Sequence, residues 1–431
     1  MNHRIRDCFR RFVATIAIIF ALYPSLVQGQ WSFKSVRNFG AEGDGIHDDT
    51  GAIQAAIAAN TVVYFPPGTY RYVGPMVLPE QKSYRLYGDG PGVSTILFTG
   101  NPNAGILAAN RGLGTLNVDG LTLQANSYNC GTAIFASFDE SGGKFRTATI
   151  HNVQIRGPTT DGTSGYYWSY GIHLYKAQNS VIDKVEISGN RKDCDHAPPN
   201  PTPCATPPTT APSQIGILWT SSNDYATTGL QLSSLEIQHF NTALKTDGWV
   251  EGVYLTGFEL TFCGQANVPT VPVVDLNATT STGGRRPTFH LFNGHIQGYT
   301  AGLRARNISD FKMSKVHFGH NAAAPDTGIG NTLELDNCTD AIISKCSFLG
   351  DAGGLTSENG IVLNNSDNVR IAENYFSAIA PTESGCAIVV DSNCDLVRII
   401  NNVFGDFLGV VLRPYCDTSQ NTYYRGNNTP P

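Results

Sequence analysis

An eight-residue pattern that returns every 28 residues constrains the fold of this chain more than any other feature. It reads AIISKCSF from Ala341, VRIAENYF from Val369 and VRIINNVF from Val397. Similarity at a fixed period between about 20 and 50 residues indicates a solenoid. In each copy the apolar residues occupy odd positions and then even positions, which predicts two short strands joined by a bend. The abundance of Asn, Gly and β-branched residues favours strands over helices.

The same eight-residue frame occurs seven more times upstream, with apolar residues at its third and eighth positions. These copies begin at Leu116, Ala148, Ser180, Leu230, Val253, Phe289 and Phe311. Unequal spacing suits a parallel β-helix, because its strands stack at a fixed ~4.8 Å while the connecting loops vary in length. A third strand precedes most copies, as in GIHLY from Gly171 and GLRAR from Gly302. We therefore expect coils of three strands.

Asparagines recur at two positions of the repeat. Four residues before a copy stand Asn307, Asn337, Asn365 and Asn393, and at the sixth position stand Asn374 and Asn402. A side-chain amide both donates and accepts hydrogen bonds, so stacked Asn residues can link each coil to its neighbours. The pattern predicts two structural ladders rather than a binding site.

The first 29 residues have the features of a secretory leader. Several arginines precede an apolar run from Phe12 to Tyr23, and a short polar exit ends near Gly29. The run is too short for a bilayer span, and the order matches a signal peptide. We expect residues 1–29 to be removed and residues 30–431 to form one secreted, extracellular domain, with a periplasmic or cell-surface location as the alternative. The net charge of −6 gives no support to nucleic-acid binding.

Export permits disulfides among the ten cysteines. Cys194 and Cys204 flank a Pro-rich loop, so a bridge that closes this loop is the first prediction. Cys346 occupies an inward position and is expected to be a core residue. Cys386 and Cys394 flank one strand, and a straight strand holds them too far apart to bridge to each other. The chain has no cysteine or histidine spacing typical of zinc.

Residues 35–70 predict a glycine-rich turn, a short amphipathic helix and a strand. Asp48, Asp49 or Thr50 can cap the helix, and its apolar stripe consists of Ile53, Ala56 and Ile57. Three acids in the turn, including Asp44, are similar to a calcium loop, but the helix that follows favours turn and cap roles. A helix here would cover the open edge of the first coil.

The string FGAEGDGIHDDTGAIQAAI, with VYFPPGTY about a dozen residues later, resembles the N-terminal segment of the pectate-lyase-like superfamily. That superfamily includes polysaccharide lyases, polygalacturonase-like hydrolases and phage tailspike depolymerases. The resemblance implies an all-β, single-stranded, right-handed parallel β-helix of about ten to twelve coils. It also implies a capping α-helix within residues 30–80. Residues 157–170 and 190–214 are expected to be inserted loops, and residues 412–431 a C-terminal cap.

The third strands present a row of polar side chains to solvent. If the Ile, Leu or Val after each Gly or Ala points inward, the next and third-next residues point outward. These residues, here named the polar strip, are His173, Tyr175, Leu218, Thr220, Lys245, Asp247, Asp275, Arg304, Arg306, Glu334, Asp336, Val362, Asn364, Val389, Asp391 and, near the end, Arg413. The resemblance implies that a sugar polymer binds along this face.

The chemistry of the polar strip leaves two reactions open. The candidate catalytic acids are Asp247, Asp275, Glu334 and Asp336, and hydrolysis requires two of them at a suitable separation. Adjacent coils offer ~4.8 Å and alternate coils ~9.6 Å. The candidate substrate-binding residues are His173, Tyr175, Lys245, Arg304 and Arg306, together with Trp168 of the string YYWSY. The strings of catalytic residues that characterise polygalacturonases, pectate lyases and alginate epimerases do not occur.

Elimination instead requires a base and cations beside a uronate carboxylate. Lys245, Arg304 and Arg306 can meet this need, with or without a calcium ion held by Asp247, Glu334 or Asp336. A structural alternative is an ion-pair ladder in which the arginines neutralise Glu334 and Asp336. The expected function is cleavage of an extracellular polysaccharide, and the alternative is a non-catalytic binding or adhesive β-helix, as a monomer or a trimer.

Overall fold

The computed structural model describes fifteen segments of the chain. They are residues 34–110, 114–127, 130–138, 146–158, 166–189, 215–222, 227–263, 271–278, 287–298, 301–320, 331–349, 359–377, 386–405, 414–419 and 421–426. The described residues from Ser35 onward belong to one compact unit. The predicted signal peptide, the predicted Cys194–Cys204 bridge and the loop 190–214 lie outside the described residues.

The described residues form one α-helix, one 3₁₀ turn and 31 strands. The helix α1 is Thr50–Ala59 and the 3₁₀ turn is Val36–Phe39. The strands are β1 (Asp44–Asp48), β2 (Val62–Phe65), β3 (Gly68–Val73), β4 (Met76–Val77), β5 (Tyr84–Gly88), β6 (Ser94–Thr99), β7 (Ala104–Asn110), β8 (Leu116–Ala125), β9 (Cys130–Phe138), β10 (Ala148–Arg156), β11 (Trp168–Tyr175), β12 (Val181–Ser188), β13 (Ile215–Thr220), β14 (Thr227–Gln238), β15 (Thr242–Asp247), β16 (Val250–Cys263), β17 (Pro272–Asn277), β18 (Thr288–Gly298), β19 (Ala301–Arg306), β20 (Asp310–His320), β21 (Leu333–Asp336), β22 (Ile342–Ser344), β23 (Ser347–Leu349), β24 (Ile361–Asn364), β25 (Arg370–Ala372), β26 (Tyr375–Ser377), β27 (Ile388–Val390), β28 (Val397–Ile400), β29 (Val403–Gly405), β30 (Tyr415–Asp417) and β31 (Thr422–Arg425).

Two parallel sheets contain these strands. Within the described residues, one sheet has twelve strands, namely β4, β7, β9, β11, β13, β15, β17, β19, β21, β24, β27 and β30. The other sheet has nineteen strands and contains every copy of the eight-residue frame. The chain passes from one sheet to the other and back in each coil, so the architecture is the predicted right-handed parallel β-helix, and the number of coils agrees with the prediction.

The register of the nineteen-stranded sheet places equivalent frame positions side by side. Met313 pairs with Ile343, Ile343 with Ile371 and Ile371 with Ile399. The fifth position has a φ between 52° and 63° in all ten copies, which are Gly120, Asn152, Lys184, Ser234, Gly257, Asn293, Lys315, Lys345, Glu373 and Asn401. A residue in the left-handed region turns the chain, so the predicted bend is confirmed. After this bend the inward positions change from odd to even.

The interior consists of the inward positions of all coils. Four phenylalanines at the eighth position stack with ring centroids 4.8–5.1 Å apart: Phe318, Phe348, Phe376 and Phe404. At the sixth position, Asn374 Nδ2 donates to Asn402 Oδ1 at 3.0 Å, and both residues are buried. The second predicted ladder is therefore confirmed.

The other ladder is also formed, with a different membership from the one predicted. Asn337 Nδ2 donates to Asn307 Oδ1, and Asn365 Nδ2 donates to Asn337 Oδ1, as predicted. The ladder continues upstream because Asn307 Nδ2 donates to Asn277 Oδ1 at 2.9 Å. Asn393 lies in a turn instead, where its N–H donates to Asp391 Oδ1.

Helix α1 caps the first coil as predicted. Its buried residues Ile53, Ala56 and Ile57 belong to the interior. Asp48 Oδ1 accepts a hydrogen bond from Thr50 N–H at the start of the helix. Asp49 holds the preceding turn instead, because its carboxylate accepts from Glu42 N–H and Gly43 N–H. No helix in the described residues has the length and hydropathy to cross a membrane.

One disulfide joins the last two coils. Cys386 and Cys416 are bonded, with Cα atoms 5.8 Å apart. Cys386 thus bridges to the next coil and not along its own strand, in agreement with the expectation for Cys386 and Cys394. Cys346 is a buried thiol, as predicted, and burial raises the pKa of this thiol to about 11.

Candidate functional site

The polar strip is the outer face of the twelve-stranded sheet, and strand register arranges it in two rows. The first row pairs His173, Leu218, Lys245, Asp275, Arg304 and Glu334 in successive strands. The second row runs parallel to it and contains Tyr175, Thr220, Asp247, Asn277, Arg306 and Asp336. Inward residues such as Leu244, Val274 and Leu303 alternate with these rows and are buried. Period-two alternation therefore brings the predicted residues to one surface.

Asp275 is the centre of a cluster of charges. Its side chain is 7% exposed, and Arg306 Nη2 donates to its Oδ1 at 2.9 Å. Arg304 donates through Nε and Nη2 to the two carboxylate oxygens, each at 3.3 Å. Lys245 Nζ lies 4.0 Å from Oδ2. One buried carboxylate thus holds three partly exposed cations, and the cluster has a net charge of +2 before its other neighbours are counted.

This geometry changes the predicted ion-pair ladder. The arginines bind Asp275, in the strand before them, whereas the prediction paired them with Glu334 and Asp336 in the strand after them. Glu334 Oε1 accepts a hydrogen bond from Asn364 Nδ2 at 3.2 Å. The ladder prediction was therefore wrong about its partner, because Asp275 is the least exposed of these acids and the strongest local site for a guanidinium.

Asp247 connects the polar strip to the asparagine ladder. Its Oδ1 accepts from Asn277 Nδ2 at 2.9 Å and from Gly248 N–H at 3.0 Å. Asn277 in turn accepts from Asn307. The exposed carboxylate of Asp247 is therefore oriented by the scaffold. Asn277 was missed as a strip residue because the sequence frame did not define the end of its strand.

The carboxylate spacing bears on the predicted hydrolytic pairs. Asp275 pairs in register with Lys245, two residues before Asp247. A rise of ~3.3 Å per residue and a strand spacing of ~4.8 Å place the Cα atoms of Asp247 and Asp275 about 8 Å apart. Glu334 lies two strands from Asp275, about 9.6 Å away, with Arg304 between them. Asp336 lies farther from Asp275 than Glu334 does, because it belongs to the second row.

The same register limits the predicted calcium site. Asp247 and Asp336 are separated by the strands of Asn277 and Arg306, which is about 14 Å along the row. A single ion cannot be shared across that distance, since Ca²⁺ ligands lie ~2.4 Å from the ion. Among the described residues, Glu334 and Asp336 are the neighbouring acids of the predicted set. One calcium ion could therefore be held by Asp247 or by Glu334 and Asp336, but not by all three, and calcium binding stays a prediction.

The N-terminal end of the strip contains aromatic and imidazole rings. The ring of His173 lies 5.0 Å from that of Phe135 and 6.4 Å from that of Tyr170. Its Nε2 is 3.1 Å from Thr220 Oγ1. Burial lowers the pKa of His173 to about 4, so its imidazole is neutral at pH 7. Tyr175 lies two residues further along the strand and contacts the Lys176 ammonium through its ring.

Phe135 was not identified from the sequence, although the alternation rule could have found it. In β9 the buried Ile134 and Ala136 flank it, just as Ile172 and Leu174 flank His173. The predicted polar strip begins with the third strand at Gly171, so it does not include β9.

Trp168 is not a strip residue. Its side chain is completely buried, its ring packs edge-on against Phe98 with centroids 5.4 Å apart, and Nε1 donates to the carbonyl of Leu123 at 3.3 Å. The predicted stacking of sugar on Trp168 is therefore wrong. Trp168 begins β11 at an inward position, so period-two alternation and not loop exposure determines its direction.

Comparison with known proteins shows which proteins this chain is similar to. A protein-family model described as rhamnogalacturonase A/epimerase, pectate lyase-like, matches residues 33–202. The A-module of the mannuronan C-5 epimerase AlgE6 from Azotobacter vinelandii superimposes with a TM-score of 0.53 at 16% identity, over 92% of this chain and 100% of that module. The chain shares its parallel β-helix fold with this module.

The chain is also similar in sequence to parts of longer proteins. It is 33% identical over 141 residues to mannuronan C5-epimerase AlgE2 of Azotobacter vinelandii, which is 28% of this chain and 14% of the relative. It is 41% identical over 59 residues to a probable glucan endo-1,3-beta-glucosidase of Arthroderma benhamiae, which is 10% of this chain and 7% of the relative. The chain thus spans a small part of the length of both curated relatives.

Proposed function

We propose that this protein is a secreted carbohydrate-active enzyme that cleaves a uronate-containing polysaccharide by β-elimination in the polar strip. The observation that carries the proposal is the cluster in which buried Asp275 holds Lys245, Arg304 and Arg306 on one exposed face. The relatives named as mannuronan epimerases support a uronate substrate, and the relative named as a glucosidase supports polysaccharide as the general class.

The cluster favours elimination over hydrolysis. Hydrolysis needs one carboxyl group that gives a proton and one that acts as base or nucleophile. Both oxygens of Asp275 instead accept hydrogen bonds from guanidinium groups, so Asp275 positions the arginines. Two fixed guanidinium groups can bind the uronate carboxylate and stabilise the negative charge that develops when the adjacent carbon loses its proton.

We assign the proton transfer to Lys245. Its amine lies across Asp275 from Arg304 in the first row and is partly exposed, with a relative side-chain exposure of 37%. In its neutral form it takes the proton from C5 of the uronate. The electron pair of that C–H bond forms the C4–C5 double bond, the C4–O bond breaks, and the leaving sugar oxygen takes a proton from solvent. Asp247 and His173 are assigned to substrate binding on either side of the reacting uronate.

C5 epimerisation is the second candidate, because the relatives with this name are 33% identical over about 140 residues. It begins with the same proton abstraction and ends with a proton returned to C5 from the other face. The assigned roles of Arg304 and Arg306 are the same in both reactions.

The test is incubation of the purified protein with a panel of uronate and neutral polysaccharides, with and without a calcium chelator. We expect ultraviolet absorbance from unsaturated uronate ends together with new reducing ends. In D₂O, deuterium at C5 of an uncut polymer would assign epimerisation instead. New reducing ends without absorbance would assign hydrolysis, and retention of a polymer without any reaction would assign the binding protein.

Two variants separate the assigned roles. Lys245→Arg retains the positive charge and removes the base, so it should abolish turnover and leave binding of uronate oligomers within about twofold. Arg304→Met should weaken that binding by tenfold or more, because a charge-assisted hydrogen bond is worth about 1.5–3 kcal/mol. Full activity of Lys245→Arg would disprove the assignment of the base.

A further inference from the structure

A second concave site lies on the other sheet, away from the polar strip. It is a groove of about 530 Å³ at the bend of three consecutive coils. Its lining consists of Ser234, Leu235, Glu236, Gly257, Phe258, Glu259, Asn293, Gly294 and His295. These are the fifth, sixth and seventh positions of three copies of the repeat. We refer to it as the bend groove.

Small residues create the groove. At the fifth position, Ser234, Gly257 and Asn293 stand where the coils on either side carry Lys184 and Lys315. At the sixth position, Gly294 leaves space that the Phe258 ring fills, since a methyl group on Gly294 would lie 2.1 Å from Phe258 Cζ. The bend is thus lowered over three coils, with a lysine position beyond each end. The Phe258 ring below it is 4% exposed and belongs to the interior.

The rim of the groove carries an unusual column of charge. Glu186, Glu236 and Glu259 are paired in register in successive strands, about 4.8 Å apart. Like charges directly opposite each other are destabilising on a sheet. The next positions in the column are His295, whose Nδ1 is 2.7 Å from Glu259 Oε1, and His317, whose ring centroid lies 5.0 Å from that of His295.

The carboxylates have capacity for further donors. Glu236 accepts from Gln238, and Glu259 contacts His295. An ionised carboxylate offers about four lone-pair sites, so one contact leaves most of them available to a ligand. Hydroxyl groups of a sugar are suitable donors for two carboxylates at this spacing.

We propose that the bend groove is a second saccharide-binding site, selective for sugar units that carry no carboxylate. The two glutamates would accept hydrogen bonds from sugar hydroxyls, the sugar would lie over the small residues Ser234 and Gly257, and Asn293 would supply a donor and an acceptor. A uronate would be repelled by the same glutamates. The polar strip, with its cluster of net charge +2, has the opposite preference, and the groove does not depend on the strip being catalytic.

The test is ligand-observed NMR with uncharged gluco-, manno- and chito-oligosaccharide tetramers on the full chain. We expect at least one tetramer to bind, and Glu236→Gln with Glu259→Gln to weaken its binding tenfold or more. The matched control is Arg304→Met in the strip, which should leave this binding within about twofold. A thermal melt of each variant checks that it folds. Because the measurement is binding of neutral sugars, it can succeed even where the strip shows no turnover.

Three outcomes would overturn the proposal. The first is that none of the neutral tetramers binds, and the second is that binding is unchanged in the double variant. The third is that Ca²⁺, Mn²⁺ or Zn²⁺ binds in calorimetry and is lost with the two glutamates, which would make the groove a metal site. If a uronate tetramer binds to the double variant but not to Arg304→Met, its binding site is the polar strip. The selectivity proposed for the bend groove then stands.

Discussion

The polar strip and the bend groove use the same strand spacing to opposite electrostatic effect. In the strip the first row alternates in sign, with Lys245, Asp275, Arg304 and Glu334 in consecutive strands. In the groove three glutamates follow one another before the first histidine. Opposite charges one strand apart attract, and like charges at that distance repel. The strip is therefore stabilised within the fold, whereas the groove gains from an external donor.

Burial increases the electrostatic difference between the polar strip and the bend groove. The side chain of Asp275 is 7% exposed and that of Glu259 is 51% exposed. Removal of a buried partner leaves charges that solvent cannot screen, whereas an exposed carboxylate is screened. Neutralisation of one carboxylate should thus lower stability in the strip and raise it in the groove. This change of sign is the most direct way to test whether the two regions differ as described.

The largest effect is expected for Asp275→Asn. It leaves Lys245, Arg304 and Arg306 without their shared carboxylate, and loss of one partner of a buried ion pair is worth about 3–5 kcal/mol. The three cations are partly exposed, so we expect a loss near 3 kcal/mol in the free energy of unfolding, measured by chemical denaturation. Binding of uronate oligomers should also fall, because the arginines lose their fixed positions.

Asp247→Asn is the matched control for this prediction. Its carboxylate is exposed and is held by Asn277 and Gly248, so its neutralisation should lower the free energy of unfolding by less than about 1 kcal/mol. Equal losses in the two variants would contradict the central role of Asp275.

The next effect concerns the pH dependence of stability. Burial lowers the pKa of His173 to about 4, below its ordinary value of about 6.5. The unfolded chain therefore binds this proton at a higher pH than the folded chain does. The contribution of the neutral His173 to the free energy of unfolding is therefore fully present above pH 6.5. As the pH falls from 6.5 towards 4, this contribution is lost, on the order of 2–3 kcal/mol. His173→Gln should flatten this part of the stability curve.

His317, at the edge of the bend groove, provides the comparison. Burial and the neighbouring His295 lower the pKa of His317, so its contribution has the same sign. Its side chain is exposed, and we expect His317→Gln to remove less of the slope than His173→Gln does. The free energy of unfolding from pH 4 to 7.5 checks this. A larger loss of the pH dependence in His317→Gln than in His173→Gln would contradict the inference that burial makes His173 the stronger contributor.

The sequence predicts the fold well, because one physical rule generates it. Period-two alternation gave the inward residues, the ten bends and most residues of the strip. The register of Lys245 with Asp275 is known only from the strand pairing. The asparagine ladders and the helical cap follow from equally local rules. The 28-residue period makes these signals visible because it repeats them in neighbouring coils.

The sequence predicts less about contacts within the site. Alternation gives the direction of a side chain but not the partner it selects among neighbours, so the arginines were assigned to Glu334 and Asp336 instead of Asp275. Trp168 was placed in a loop because its string is aromatic and follows glycines, yet it is an inward strand residue. The bend groove depends on three small residues in different coils, and only the register reveals them as neighbours.

The smallest effect distinguishes the two regions most directly. Glu236 stands between Glu186 and Glu259 in the column. Glu236→Gln therefore removes the repulsion of Glu236 with both neighbours and retains the contact of Glu259 with His295. We expect the free energy of unfolding to rise by about 0.5 kcal/mol, within the range for cross-strand charge pairs. About 1 M salt shortens the screening length to ~3 Å, so it should remove most of the gain. A loss of stability would mean that an internal partner already balances this column, and the groove would then resemble the strip.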